Sequence, residues 1–260
     1  MTDGTPRPLL TTDHLRSADR RLENFMKRKK TLKPPFFEIG PKQYLFGDQV
    51  LELALAADRA SMEYDVDVVF TTPFCDIRRI AEATERLFVF APHMDAIPVG
   101  RGLADILPES VKASGADGVM LNHTERPVTF AILEKTIKRA KELDLLVLAI
   151  ADTMEEAKAV AMLGPEAITA EQSELIGTGI IADESYIMAT TKAIKSVNPD
   201  IIVLQAAGIK DENDVYKMIF DGAEATGTSS AVGKAGDPGA MATKMIRAVR
   251  EAWDNRKAAR

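Results

Sequence analysis

One cysteine, Cys75, stands in 260 residues. An intrachain disulfide is therefore excluded, and so is a zinc cluster built on several thiolates. Such scarcity suits a reducing compartment, and a cytoplasmic protein is expected. Cys75 itself reads as a small buried core residue. The chain has no apolar run of about 18 residues, so no membrane span is expected. Its N-terminus is polar and lacks the apolar stretch of a secretory signal. Positive charge is not in excess either. Lys and Arg number 33 against 39 Asp and Glu, a formal net charge of -6, which gives no overall pull toward nucleic acid or an anionic membrane. An anionic ligand would need a local site. Also missing is the glycine-rich phosphate turn that follows an early strand in open doubly wound sheets.

What is present is a soluble, globular composition, 46% apolar and 28% charged. The length suits one closed (β/α)8 barrel. The first 34 residues differ from the rest. Arg16, Arg20, Arg21, Lys27, Arg28, Lys29, Lys30 and Lys33 crowd together. Leu15, Leu22, Phe25 and Met26 recur at roughly helical spacing, with Asp13 as a cap. This predicts an amphipathic helix over 13–31, ended by Pro34-Pro35 and lying on the barrel or on a neighbouring subunit. Residues 1–34 are thus read as a basic helical extension and 35–260 as the barrel.

Beyond Pro35, short apolar or β-branched runs alternate with helical patterns. The expected strands are 36–39, 66–71, 87–91, 118–122, 145–150, 167–171, 201–205 and 223–228. Helices are expected between most of them, at 49–62, 128–142, 154–162, 184–196 and 212–221, with a last one over 239–256. Eight such units point to an α/β fold with a parallel sheet closed into a barrel.

In such a barrel, chemistry sits past the C-terminal ends of the strands. Lys42 follows the first run, His123 the fourth, and Glu171 ends the sixth. Ala206-Ala207-Gly208 follows the seventh and Ser229-Ser230 the eighth. A carboxylate there can abstract a proton from carbon beside a carbonyl, and an imidazole can polarise that carbonyl. Thr124-Glu125-Arg126-Pro127 reads as the first turn of a helix opened by His123, whose positive end would keep the ring neutral. Lys42 can hold negative charge developing on a substrate oxygen. The small residues let backbone N–H groups approach phosphate oxygens.

At these positions the chain resembles the triosephosphate isomerase family, in its shorter archaeal-type branch. The segments are Ala170-Glu171-Gln172-Ser173-Glu174-Leu175-Ile176-Gly177-Thr178-Gly179, Asn122-His123-Thr124-Glu125-Arg126, Ala91-Pro92-His93-Met94-Asp95 and Ala206-Ala207-Gly208-Ile209, in family order. The resemblance implies a TIM barrel that interconverts small phosphorylated aldoses and ketoses: a triose phosphate, or a close tetrose or pentose phosphate. It implies Glu171 as the proton shuttle, neutral His123 as the electrophile, Lys42 as stabiliser of an enediolate, and Glu125 as the group orienting Lys42. Backbone near Gly177, Gly208, Ser229 and Ser230 would hold the phosphate, and residues 172–178 would close over the substrate. No metal or organic cofactor is implied. The partners are a phosphorylated sugar and further copies of the chain, as a homodimer or homotetramer. Glycolysis is the family's setting.

The family's Asn-x-Lys is Gly40-Pro41-Lys42 here, so an amide donor is lost. Gln172 replaces a proline, Pro92-His93 and Leu103-Ala104 differ in the third loop, and Ala206 replaces a glycine. Two other readings stand beside the isomerase: a Schiff-base aldolase using Lys42, and a non-catalytic binding or regulatory barrel.

Overall fold

Near-continuous apolar runs are what strands buried on both faces require. In the computed structural model, which describes residues 31–171, 178, 183–206 and 208–259, each expected run is a strand. They are β1 (Phe36–Ile39), β2 (Asp67–Thr71), β3 (Phe88–Ala91), β4 (Gly118–Leu121), β5 (Leu146–Ala151), β6 (Ala167–Ala170), β7 (Ile202–Gln205) and β8 (Ala225–Thr228). All pair in parallel, in sequence order, and β8 returns to β1 to close the barrel. Glu38 stands opposite Val69 on one side and Gly227 on the other. The expected helix over 13–31 falls, but for Thr31, outside the described residues. The barrel unit runs from Leu32.

The helices are α1 (Asp48–Tyr64), α2 (Ile77–Ala83), α3 (Pro108–Ala113), α4 (Phe130–Glu142), α5 (Met154–Leu163), α6 (Glu184–Val197), α7 (Glu212–Phe220), α8 (Ser230–Gly233) and α9 (Pro238–Ala259). Several starts are capped by a side chain that satisfies an orphan N–H. Thr129 accepts from Ile132 at α4, Thr153 from Glu156 at α5, Asp183 from Tyr186 at α6, and Asp211 from Asn213 and Asp214 at α7.

The period of two along each strand sorts side chains into two cores. Phe37 and Ile39 of β1 face the helices and join the larger cluster. Phe36 faces inward and joins Leu32, Val69, Phe88, Phe90, Met120, Leu148, Ile150, Ala167, Ile202, Leu204 and Ala225. The barrel is thus filled by side chains, not open as a pore. Gly118 marks how tightly. A methyl on it would meet Phe90 Cζ at 2.4 Å and the Leu146 carbonyl at 2.6 Å.

Two expectations are corrected. Cys75 is exposed rather than buried. It lies in a single 3-10 turn, Phe74–Asp76, between β2 and α2, and the residue this turn buries is Asp76. Residues 124–126 form a turn rather than the start of a helix. Helix α4 begins at Phe130, where Thr129 supplies the cap.

Candidate active site

Every described residue singled out for chemistry emerges at the C-terminal end of the barrel. Lys42 lies three residues past β1, His123 two past β4, Glu171 next after β6, Gly208 three past β7, and Ser229 and Ser230 directly after β8. Gly177, and the expected lid apart from Thr178, lie outside the described residues.

Lys42 has φ 48°, the left-handed region. A non-glycine residue there costs roughly 1–2 kcal/mol, so surrounding structure must hold it. Its Nζ donates to Glu125 Oε1 at 2.9 Å. This contact joins the loop after β1 to the loop after β4. The partner of Lys42 is thus the glutamate that the resemblance assigns to it. The hydrogen bond and charge of Lys42 hold the Glu125 carboxyl below its ordinary pKa.

His123 is oriented by its own turn. The Glu125 backbone N–H donates to His123 Nδ1 at 3.0 Å, and Arg126 N–H donates to the His123 carbonyl at 2.7 Å. An Nδ1 that accepts cannot carry a proton, so the neutral ring has its N–H at Nε2. Burial, with Lys42 adding to it, moves the imidazole pKa down. The helix end is thus not what favours a neutral ring: it is absent, and an accepted N–H together with desolvation does its work.

The residue before it anchors this turn. Asn122, also left-handed at φ 60°, donates from Nδ2 to the Ile150 carbonyl at 3.0 Å and to Glu156 Oε1 at 2.9 Å. Its Oδ1 accepts from Val128 N–H at 3.1 Å. Glu156 Oε2 in turn accepts from Asp152 N–H at 2.9 Å. The loops after β4 and β5 are tied together at one amide.

Glu171 is fixed by its backbone N–H, which donates to the Ala151 carbonyl at 3.0 Å. Burial lifts its carboxyl above the ordinary range, Lys42 opposes the rise, and Asp152 and Glu125 add to it. A carboxylate made more basic in this way suits proton abstraction near neutrality. Lys42 acts electrostatically on Glu171, Glu125, His123 and Glu38 alike. Lys42, His123 and Glu171, separated by up to 129 positions in sequence, therefore lie within electrostatic reach of one another at one mouth.

Opposite them, Gly208 has φ 74°. Ser229 is the residue before α8, and its hydroxyl is buried without a hydrogen-bond partner among the described residues. Helix α8 packs against the first loop: a Cβ on Gly233 would touch Tyr44 at 2.9 Å. A short extra helix after β8 is where barrels of this type commonly hold phosphate. Among the described residues no cluster of His, Cys, Asp and Glu could hold a metal ion.

Sequence reasoning missed Glu38, Thr71, Asn122 as an anchor, and Glu156. Glu38 had a legible signal, a lone acid at an inward position of an otherwise apolar strand. The others become visible only when strands distant in sequence are set side by side.

A family profile described as triosephosphate isomerase matches residues 42–248. A triosephosphate isomerase of Sulfolobus acidocaldarius is 34% identical over 229 residues, 86% of this chain and 99% of the relative. One of Saccharolobus solfataricus is 35% identical over 211 residues, 80% of this chain and 92% of the relative. One of Methanosarcina mazei is 32% identical over 220 residues, 83% and 99% respectively.

Proposed function

The chain belongs to the triosephosphate isomerase family and is an aldose–ketose isomerase of that kind, and from this premise we propose how its own residues carry the reaction. Glu171 takes a proton from the carbon beside the substrate carbonyl and returns it to the neighbouring carbon. The Nε2–H of His123 donates to the carbonyl oxygen, and the ring relays protons between the two oxygens of the enediolate. Lys42, held by Glu125, stabilises the negative charge that develops there. This division of labour is the family's known one. The supporting observation is the Nδ1 contact of His123, which leaves Nε2 as the donor.

The substrate is a small phosphorylated sugar, either a triose phosphate or a close tetrose or pentose phosphate. Its phosphate lies against backbone near Gly177, Gly208, Ser229 and Ser230. The unpartnered Ser229 hydroxyl supports this placement. Lys42 does not favour a Schiff-base role, because its amine is engaged by a carboxylate in an orienting contact. The chain assembles as a homo-oligomer. Tyr44 and Phe46 of the first loop and Val99 and Leu103 of the third are exposed apolar residues that an assembly would cover.

The test is turnover of dihydroxyacetone phosphate, and of four- and five-carbon ketose phosphates, by the protein and by Glu171→Gln. The expected loss in the variant is about 10²–10⁴-fold in kcat with little change in KM. Undiminished turnover in the variant, or no turnover of any of these sugars by the unaltered protein, would refute the proposal.

A further inference from the structure

The inward positions of the barrel below the mouth are filled mainly by apolar side chains. Glu38 breaks that pattern. It sits on β1 between Phe36 and Gly40 and is only 8% exposed. Two residues without side chains make its room. A Cβ on Gly40 would stand 3.0 Å from Glu38 Oε1, and one on Gly227 would stand 2.8 Å from Glu38 Cβ and 3.0 Å from Oε2. The carboxyl therefore occupies the space into which a side chain at position 40 would project. Thr71 Oγ1 donates to Oε1 at 2.7 Å, while Oε2 lies on the side of Gly227.

A carboxyl this deeply placed among apolar neighbours is costly to the fold. Burial lifts its pKa to about 7, Thr71 opposing the rise, Glu171 adding to it and Lys42 opposing it. An apolar residue would pack here without that cost, as Phe36 does one step below. The position adjoins the groups assigned to the chemistry, since Glu171 and Lys42 are the charges that act on it. A costly acid that borders the reacting residues is explained by a role toward the ligand they bind.

We propose that Glu38 is a substrate-contacting residue, whose carboxyl hydrogen-bonds a hydroxyl at the unphosphorylated end of the sugar and thereby selects hydroxylated phosphate esters. The inference rests on the sugar-phosphate reading above. Oε2 accepts the hydroxyl proton, and Thr71 holds Oε1 so that the carboxyl stays aimed. A ligand without that hydroxyl leaves the carboxyl desolvated and unanswered, which is the strongest form of discrimination a buried polar group can give.

The test compares binding of glycerol 3-phosphate, which carries hydroxyls, with ethyl phosphate, which carries none. Calorimetry on the full chain reads both affinities for the unaltered protein and for Glu38→Val. The unaltered protein is expected to prefer glycerol 3-phosphate by about 10-fold or more. In Glu38→Val that preference falls to within about twofold, with ethyl phosphate bound as before. Should the Val variant not fold, Glu38→Met combined with Thr71→Val answers the same question, since it fills the space with apolar atoms and leaves no Thr71 hydroxyl to satisfy. A preference retained in these variants overturns the proposal. So does an unaltered protein that binds both phosphates equally, which leaves the sugar-phosphate reading standing. An unaltered protein that binds neither phosphate sinks that reading, and the role of Glu38 with it.

Discussion

His123 illustrates how a single side chain is tuned by a contact that sequence spacing does not reveal. The Glu125 N–H on Nδ1 fixes the tautomer, and burial with the nearby Lys42 lowers the pKa. The ring is therefore expected to titrate below the ordinary histidine value, and to carry its neutral-state proton on Nε2, in ¹⁵N NMR of the free protein; a ring that titrates at or above about 6.5, the ordinary histidine value, would contradict this. Glu38 carries the opposite kind of shift. Its folded-state pKa of about 7 exceeds the ordinary 4.5, so the folded protein binds more protons than the unfolded chain between those values. Stability is then greatest below about 4.5 as far as this group is concerned, and it falls as pH rises toward 7. The loss amounts to about 3 kcal/mol at most. Glu171, also shifted up, adds in the same direction. Urea unfolding at pH 5, 6, 7 and 8 should show this decline, and Glu38→Gln should flatten much of it. An equal slope in the variant would remove Glu38 as the source.

At the level of elements, the loop after β4 is held by Asn122 rather than by helix geometry. Its amide reaches the Ile150 carbonyl, Glu156 and Val128 N–H, and its backbone is left-handed. Asn122→Ala loses these bonds and keeps the backbone strain, so a destabilisation of about 2–4 kcal/mol is expected in thermal or urea unfolding. Activity should fall along with it, because His123 is the next residue. A variant as stable as the parent would show that the loop is held by something else. The strands were legible in the sequence, since a run such as Leu146–Ala151 is apolar on both faces, as a doubly covered strand requires. Their C-terminal ends then led to Lys42, His123 and Glu171. The helix misread after His123 has a physical reason: Pro127 resembles a first-turn proline, but the Thr129 hydroxyl, two residues on, is the group that caps Ile132 N–H. Cys75 was misread for a similar reason. Free cysteine is usually a small buried residue, whereas the 3-10 turn leaves this one exposed. Glu38 stands out locally as a lone acid with Gly40 two residues on, but the accommodating Gly227 needed the pairing of β1 with β8, which no local pattern contains.

In the barrel unit, Leu32–Arg260, the residues proposed for the chemistry come from loops far apart in sequence, and the formal charge of -6 leaves attraction of a phosphate to local groups. No described helix is long and apolar enough to cross a membrane. Exposed Phe46, Val99 and Leu103, the last fully exposed, are expected to be covered by another copy. Light scattering at micromolar concentration should give at least twice the mass of the 28.4 kDa chain, and a monomer would contradict the assembly. The central claim is that Glu171 moves a proton between adjacent carbons of a phosphorylated sugar. It is tested most directly by incubating the protein in D₂O with dihydroxyacetone phosphate and its four- and five-carbon analogues, and following deuterium at the carbons beside the carbonyl by NMR. Deuterium uptake into one of these sugars, abolished in Glu171→Gln, is the predicted result. Uptake that persists in the variant, or a bound sugar that takes up none, would contradict it.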